Sequence, residues 1–544
     1  MDTREIRPLI LVRGFGGPDV SAEQASGYQG FNDGSVYPER RGDNYIYEGF
    51  VLRALKSDRY PYRDATNVVG YYAADVPAPP DPLGWPNDLI TGTVVLDPSV
   101  AQRVLANGVA GTMWVYRYYD LEPRAIQRYG EGLARLIDII RRGAEAKGET
   151  FAGVDVVAHS MGGLVVRAAL RHMSEHGVDT RQWIHRVVTL GTPHRGIAFQ
   201  LLPRWLVDAV PGVRRASDEL SAFDPASTEH VKIADWFEPR RILTVVGTDY
   251  RSYSAKVASL ANRLSTLFDE GTLVHNRSDG LVKQASAQLP GAPRTFVHKC
   301  HGGHDSLVTS REAYEIAMRF FHGTHRVRLW LDSADVSRGQ DFFGRSEFYL
   351  GVSVKPRYVD FELFHQSAEA ENCYGPFHDR ALVDPLPDLT AALGRALADR
   401  GEETNGWAGP DRLVWEGWID ARAIPSSSTN HQDMVFRLDI YVGERDSFGV
   451  GFSDNVVFRK QYYIQALVGG GPLDLFVHTG EQHLGTQPAS RQELEALAVP
   501  DAAAAVQRAA PTGHANEWTF STAGTGFTAT WRVSLEAEPD TDRR

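Results

Sequence analysis

Through about the first 320 residues, short apolar runs rich in β-branched side chains alternate with stretches in which apolar positions recur every three to four residues. That alternation predicts a mostly parallel sheet covered by helices. Pro8 to Gly14 is an almost unbroken apolar run ending in glycine, as expected of a strand buried on both faces. Thr112 to Tyr119 is a second such run. After it Ile126, Tyr129, Leu133, Leu136, Ile137 and Ile140 recur at helical spacing, completing a β-α pair. In the stretch Val154 to Leu170 a short apolar strand passes through a tight turn directly into a helix.

Two segments interrupt this alternation. Residues from about 18 to 110, with Pro77-Ala-Pro-Pro80 and Gly84-Trp-Pro86, are too long for an ordinary loop and are expected to form an insertion or cap. Residues 197–236 hold the amphipathic run Leu201 to Val210, expected as a lid or a covering helix. After Gly323 the character changes. Alternation at Val327, Leu329 and Leu331, and again at Phe527, Ala529, Trp531, Val533 and Leu535, predicts antiparallel strands. The expected organisation is an α/β domain over 1–323 and a β-sandwich-like domain over 324–544, with one helix after Arg491.

Composition narrows the classes. With 42% hydrophobic and 23% charged residues the chain is an ordinary globular sequence. Its 57 basic and 69 acidic side chains leave a net charge of −12, which argues against nucleic acid as a partner. Cys300 and Cys373 are the only cysteines, too few for a disulfide framework. The N-terminus lacks the apolar run of a secretory signal, and no window reaches membrane-spanning length, so a cytoplasmic location is expected, export by another route aside.

The chemistry begins at Ala158-His159-Ser160-Met161-Gly162. This is the G-x-S-x-G elbow with alanine at the first glycine, set between a strand and a helix. Small residues there let strand and helix approach a serine held on a sharp turn, and the helix N-terminus beside it favours negative charge. The plainer reading of Ser160 is a turn serine capping the helix. Together with Arg13-Gly-Phe-Gly-Gly17 and Val188-Thr-Leu-Gly-Thr-Pro-His-Arg-Gly196, the motif resembles the bacterial lipase/esterase branch of the α/β-hydrolase superfamily. Arg13 departs from the histidine of many relatives.

That resemblance implies an oxyanion hole from the amides of Phe15 and Met161, and a triad met along the chain as serine, acid, histidine. Asp279, in a D-x-x-V pattern resembling the lipase acid loop, is the favoured acid, with Asp249 after the strand Arg241 to Gly247 as the alternative. For the base, His304 is favoured because it precedes Leu307-Val308 and the final helix. His301 stays open, since spacing alone does not choose between them. His159 and His194 read as structural or pocket-lining.

In the second domain, Asp341, Glu347, Glu444, Asp446 and Asp454 lie in two stretches distantly similar to the acidic loops of synaptotagmin-type calcium- and phospholipid-binding sandwiches. The resemblance implies Ca²⁺ held by these oxygens, with solvated loop acids as the alternative. No other cofactor is expected. The expected activity is serine-dependent cleavage of acyl esters, with an ester or lipid as substrate and the second domain as a peripheral membrane contact. Acyl transfer by the same triad is one alternative. The other is a lipid- or partner-binding protein whose hydrolase domain is inactive.

Overall fold

A computed structural model describes residues 6–14, 31, 49–70, 94–95, 107–118, 126–194, 233–250, 278–302, 306–337, 346–357, 359–377, 380–382, 412–423, 434–446, 455–467, 473–479, 490–501 and 503–538. The chain divides into two compact units. The first takes residues up to 268 with Ser278–Ala292 and Lys299–Ala317, and the second takes Pro293–His298 and the chain from Met318. The division therefore falls at 317/318, a few residues before the change of pattern in the sequence.

In the first unit the strands are β1 (Leu9–Val12), β2 (Arg63–Gly70), β3 (Val94–Val95), β4 (Thr112–Arg117), β5 (Val154–His159), β6 (Ile184–Leu190) and β7 (Ile242–Gly247). They stand side by side in the order β3-β2-β4-β1-β5-β6-β7. Every pair from β2 to β7 is parallel, and only β2 with β3 is antiparallel. Helices α1 (Phe50–Lys56), α2 (Ile126–Ala146) and α3 (Met161–Glu175) accompany the sheet.

The apolar runs explain this arrangement. β1 and β5 are buried along their whole length, which a strand with helices over both faces requires. On α2 the predicted stripe from Ile126 to Ile140 is buried against α3 and the sheet. A Cβ added at Gly130 of α2 would stand 2.7 Å from the Ala168 backbone, so the absent side chain lets the two helices cross closely.

The expected cap over 18–110 is corrected in part. Arg63–Gly70, inside that stretch, is β2, paired in parallel with β4. A register shift between Arg63 and Ala65 breaks its alternation, which is why the sequence pattern hides it. The same stretch also holds α1 and β3, while residues 18–30, 32–48, 71–93 and 96–106, and the lid up to residue 232, lie outside the described residues. At the lid's end, helix Ile233–Trp236 buries Ile233 in the core of the first unit.

The second unit holds two antiparallel sheets. One runs Phe364–His365, Ser346–Pro356, Met434–Asp446, Asn455–Leu467, Asp474–His478, Val506–Arg508, with Tyr374–Phe377 also on Ser346–Pro356. The other runs Leu413–Ile419, His325–Val336, Phe527–Ala537, Glu517–Gly524, Ala510–Pro511. Aromatic pairs link them, Trp415 with Phe436 at 5.8 Å and Phe458 with Phe527 at 4.9 Å between ring centroids. The predicted helix is Arg491–Leu497, opened by a capping box between Ser490 and Glu493. Among the described residues no helix is long and apolar enough to cross a membrane.

Candidate active site

Ser160 stands between the last residue of β5 and the first of α3, with φ 52° and ψ −128°. A non-glycine residue in that region costs on the order of 1–3 kcal/mol, so the surroundings must enforce it. Three contacts do. The Ser160 amide donates to the Leu190 carbonyl of β6 at 2.9 Å. A Cβ on Gly162 would stand 2.5 Å from the Val12 carbonyl oxygen, and one on Gly14 would stand 2.4 Å from the Ser160 Cβ. Glycine at both positions lets the end of β1 close on the turn. The side chain of Ser160 makes no capping hydrogen bond to α3, so its hydroxyl is not engaged as a helix cap.

The hydroxyl instead meets a histidine. Ser160 Oγ lies 2.9 Å from His301 Nε2, and His301 Nδ1 lies 2.8 Å from Asp279 Oδ2. A carboxylate can only accept, so Nδ1 carries the proton and Nε2 is left to accept from the serine. Ser160, His301 and Asp279 are 8%, 3% and 1% exposed, which strengthens the electrostatics of the chain they form.

The acid is held by its own turn. Asp279 Oδ1 accepts from the amides of Val282 at 2.7 Å and Leu281 at 3.0 Å, leaving Oδ2 for the histidine. Two glycines that sequence reasoning did not single out shape the space around it. A Cβ on Gly191 would stand 2.8 Å from Asp279 Oδ2, and one on Gly247 would stand 2.7 Å from the Asp279 Cβ. Gly191 also has φ +55°, so a side chain there is excluded twice over. Its place in the Thr-Leu-Gly-Thr-Pro-His run was the available signal.

The structure changes the choice of histidine. His301 occupies the position between acid and serine that was expected for His304, and His304 lies outside the described residues. The reason is where the backbone is tied. The Asp249 amide donates to the Lys299 carbonyl at 3.2 Å, and the His301 amide donates to the Asp279 carbonyl at 2.8 Å, which brings residue 301 onto the acid. Asp249 is joined to this loop through its backbone, and Asp279 is the carboxylate on the histidine. His298 turns elsewhere, its ring 6.0 Å from that of His365. His194 braces the loop after β6, its Nε2 3.0 Å from Thr189 Oγ1 and its carbonyl accepting from Arg167 at 3.0 Å.

Of the expected oxyanion donors, Met161 is the first residue of α3, where amides have no partner within the helix. Phe15 lies outside the described residues. Of the expected calcium ligands, Glu347 and Glu444 have protein partners. Glu347 is paired with Arg445 at 2.6 Å, and Glu444 accepts from Asn455 Nδ2 at 2.9 Å. An arginine on one candidate ligand already supplies the positive charge a cation would bring. Asp341 and Asp454 lie outside the described residues, as does the side chain of Asp446. Among the described residues no group of three or more His, Cys, Asp or Glu side chains is placed to hold a metal.

A parallel sheet with a strained serine at a strand-to-helix turn finds its counterpart in sequence, where residues 128–276 match the palmitoyl protein thioesterase family. The first unit has the α/β-hydrolase fold. The match includes Ser160 and its elbow and stops before Asp279 and His301. It supports a hydrolase, an ester hydrolase in general.

Among solved structures, the putative cell surface hydrolase of Lactobacillus plantarum WCFS1 is 11% identical, covers 58% of this chain and 89% of its own, and has a TM-score of 0.26. Phospholipase PlaB of Legionella pneumophila, in complex with thio-NAD, is 11% identical, covers 71% of this chain and 90% of its own, and has a TM-score of 0.29. No curated protein matches the chain in sequence.

Proposed function

We propose that the protein is a serine hydrolase that cleaves an acyl ester through a covalent acyl-enzyme on Ser160. The observation that carries this reading is the pair of hydrogen bonds joining Ser160, His301 and Asp279. In the first half-reaction Ser160 Oγ bonds to the substrate carbonyl carbon while its proton passes to His301 Nε2. Asp279 fixes the tautomer of His301 and stabilises the imidazolium. The amides of Met161 and Phe15 are the expected donors to the oxyanion, a contribution of about 3 kcal/mol per donor in such sites. Collapse expels the alcohol, which takes the proton from His301. Water then attacks the acyl-enzyme by the same route in reverse, releasing the acid and restoring the serine.

A thioester is the second reading, favoured by the family match over the elbow. The same residues serve, with a thiol as the leaving group. An acyl acceptor other than water would turn the second half-reaction into transfer.

The test compares p-nitrophenyl butyrate and palmitate with butyryl- and palmitoyl-CoA, using the wild type and Ser160→Ala. Turnover of oxygen esters that vanishes in the variant supports the ester reading. Faster Ser160-dependent turnover of the thioesters favours the second reading. Equal rates from both proteins on every substrate would overturn both.

A further inference from the structure

We propose that His159 is a positioning residue that clamps the backbone of the base His301, an inference that rests on the triad reading above. His159 ends β5 and immediately precedes Ser160. Its Nε2 lies 2.8 Å from the carbonyl oxygen of His301, and the two imidazole centroids are 4.9 Å apart. A carbonyl oxygen only accepts, so Nε2 carries the proton and donates it. His159 Nδ1 is buried and has no hydrogen-bond partner among the described residues. Among the described residues the ring therefore has one hydrogen bond, and it is to the backbone of the base.

Burial, and then the neighbouring His301, hold the His159 pKa well below the ordinary histidine value, with Arg13 acting in the same direction. The clamp is thus a neutral imidazole that places no second positive charge beside the imidazolium formed during catalysis.

The consequence is geometric. His301 is held on both sides of its α-carbon, its N–H donating to the Asp279 carbonyl at 2.8 Å and its C=O accepting from His159 Nε2 at 2.8 Å. Its imidazole reaches Asp279 and Ser160 from a fixed backbone. Clamp and nucleophile are consecutive residues, so a displacement of β5 carries both together and preserves the distance from Ser160 Oγ to His301 Nε2. Misplacement by about 1 Å in such an arrangement costs on the order of 100-fold in rate.

Asparagine and glutamine separate this role from general packing. The amide nitrogen of glutamine reaches about as far as Nε2 of the ring, whereas that of asparagine stops near Nδ1. Steady-state kinetics on p-nitrophenyl butyrate are measured for the full-length wild type, His159→Asn and His159→Gln, with rates taken per folded molecule from the amplitude of the thermal transition. The expected result is a fall in kcat of about 10- to 100-fold in His159→Asn with KM within about twofold, and recovery to within about threefold of wild type in His159→Gln. Wild-type kcat in His159→Asn, or equal losses in the two variants, would overturn the clamp. Failure of the triad reading is distinct, because the wild type itself would then show no turnover dependent on Ser160.

Discussion

At the scale of the residue, the account turns on which nitrogen bears which proton. Asp279 obliges His301 to donate from Nδ1, and only then can Nε2 receive the proton of Ser160. Asp279→Asn presents an amide that favours the wrong tautomer, so kcat is expected to fall about 10³- to 10⁴-fold with little change in thermal midpoint, as steady-state kinetics beside a melting curve would read. His301→Ala is expected to lose at least about 10³-fold in kcat, while His304→Ala stays within about threefold. The opposite order would return the role to His304. The serine and the acid were legible in sequence because local pattern marks them, a turn between strand and helix for Ser160 and D-x-x-V for Asp279. The base was not. His298, His301 and His304 share one loop, and the choice depends on the backbone bonds from Asp249 to Lys299 and from His301 to Asp279, which no local spacing records.

At the scale of the element, the strand-to-helix turn works because two backbones touch where side chains are missing. A Cβ on Gly162 meets the carbonyl oxygens of Val12 and Arg13 at the end of β1, and backbone cannot swing aside as a flexible side chain can. Gly162→Ala is expected to destabilise the first unit by about 1–3 kcal/mol and to abolish labelling of Ser160 by a fluorophosphonate, read by denaturant unfolding and by mass spectrometry. Unchanged stability and labelling would show that the contact is relieved cheaply. In the second unit, Ser490→Ala removes the capping box of Arg491–Leu497 and is expected to cost about 1 kcal/mol in the same unfolding measurement. Elements with unbroken periodicity, such as β1, β5 and α2, were readable from the chain. β2 was not, because Arg63-Asp-Ala-Thr-Asn67 is polar and its register shifts at the start, so its residues fell into the expected cap.

At the scale of the whole molecule, the change from alternating β-α pattern to antiparallel β pattern was visible in sequence. Of the expected calcium ligands, Glu347 and Glu444 face Arg445 and Asn455 across the strands, partners that the spacing of acidic residues in a chain does not record. The second unit is expected to show a pH-dependent stability. Burial, and then the charge of Arg357, lower the pKa of His478 to about 4. The unfolded chain binds this proton near pH 6.5. Between those values the unfolded state holds more protons, so stability is full above about pH 6.5 and falls as the pH drops towards 4, by on the order of 3 kcal/mol in total. His478→Phe keeps a ring against Tyr463 and is expected to flatten the difference in denaturant midpoint between pH 7 and pH 4.5. An undiminished difference would assign the acid sensitivity to other groups. The central claim, that Ser160 is activated by His301, is tested most directly by intact-mass measurement of the full chain after treatment with a fluorophosphonate. One adduct mapped to Ser160 is predicted, absent in Ser160→Ala and formed at least about 100-fold more slowly in His301→Ala. An adduct on another residue, or an undiminished labelling rate in His301→Ala, would contradict the account.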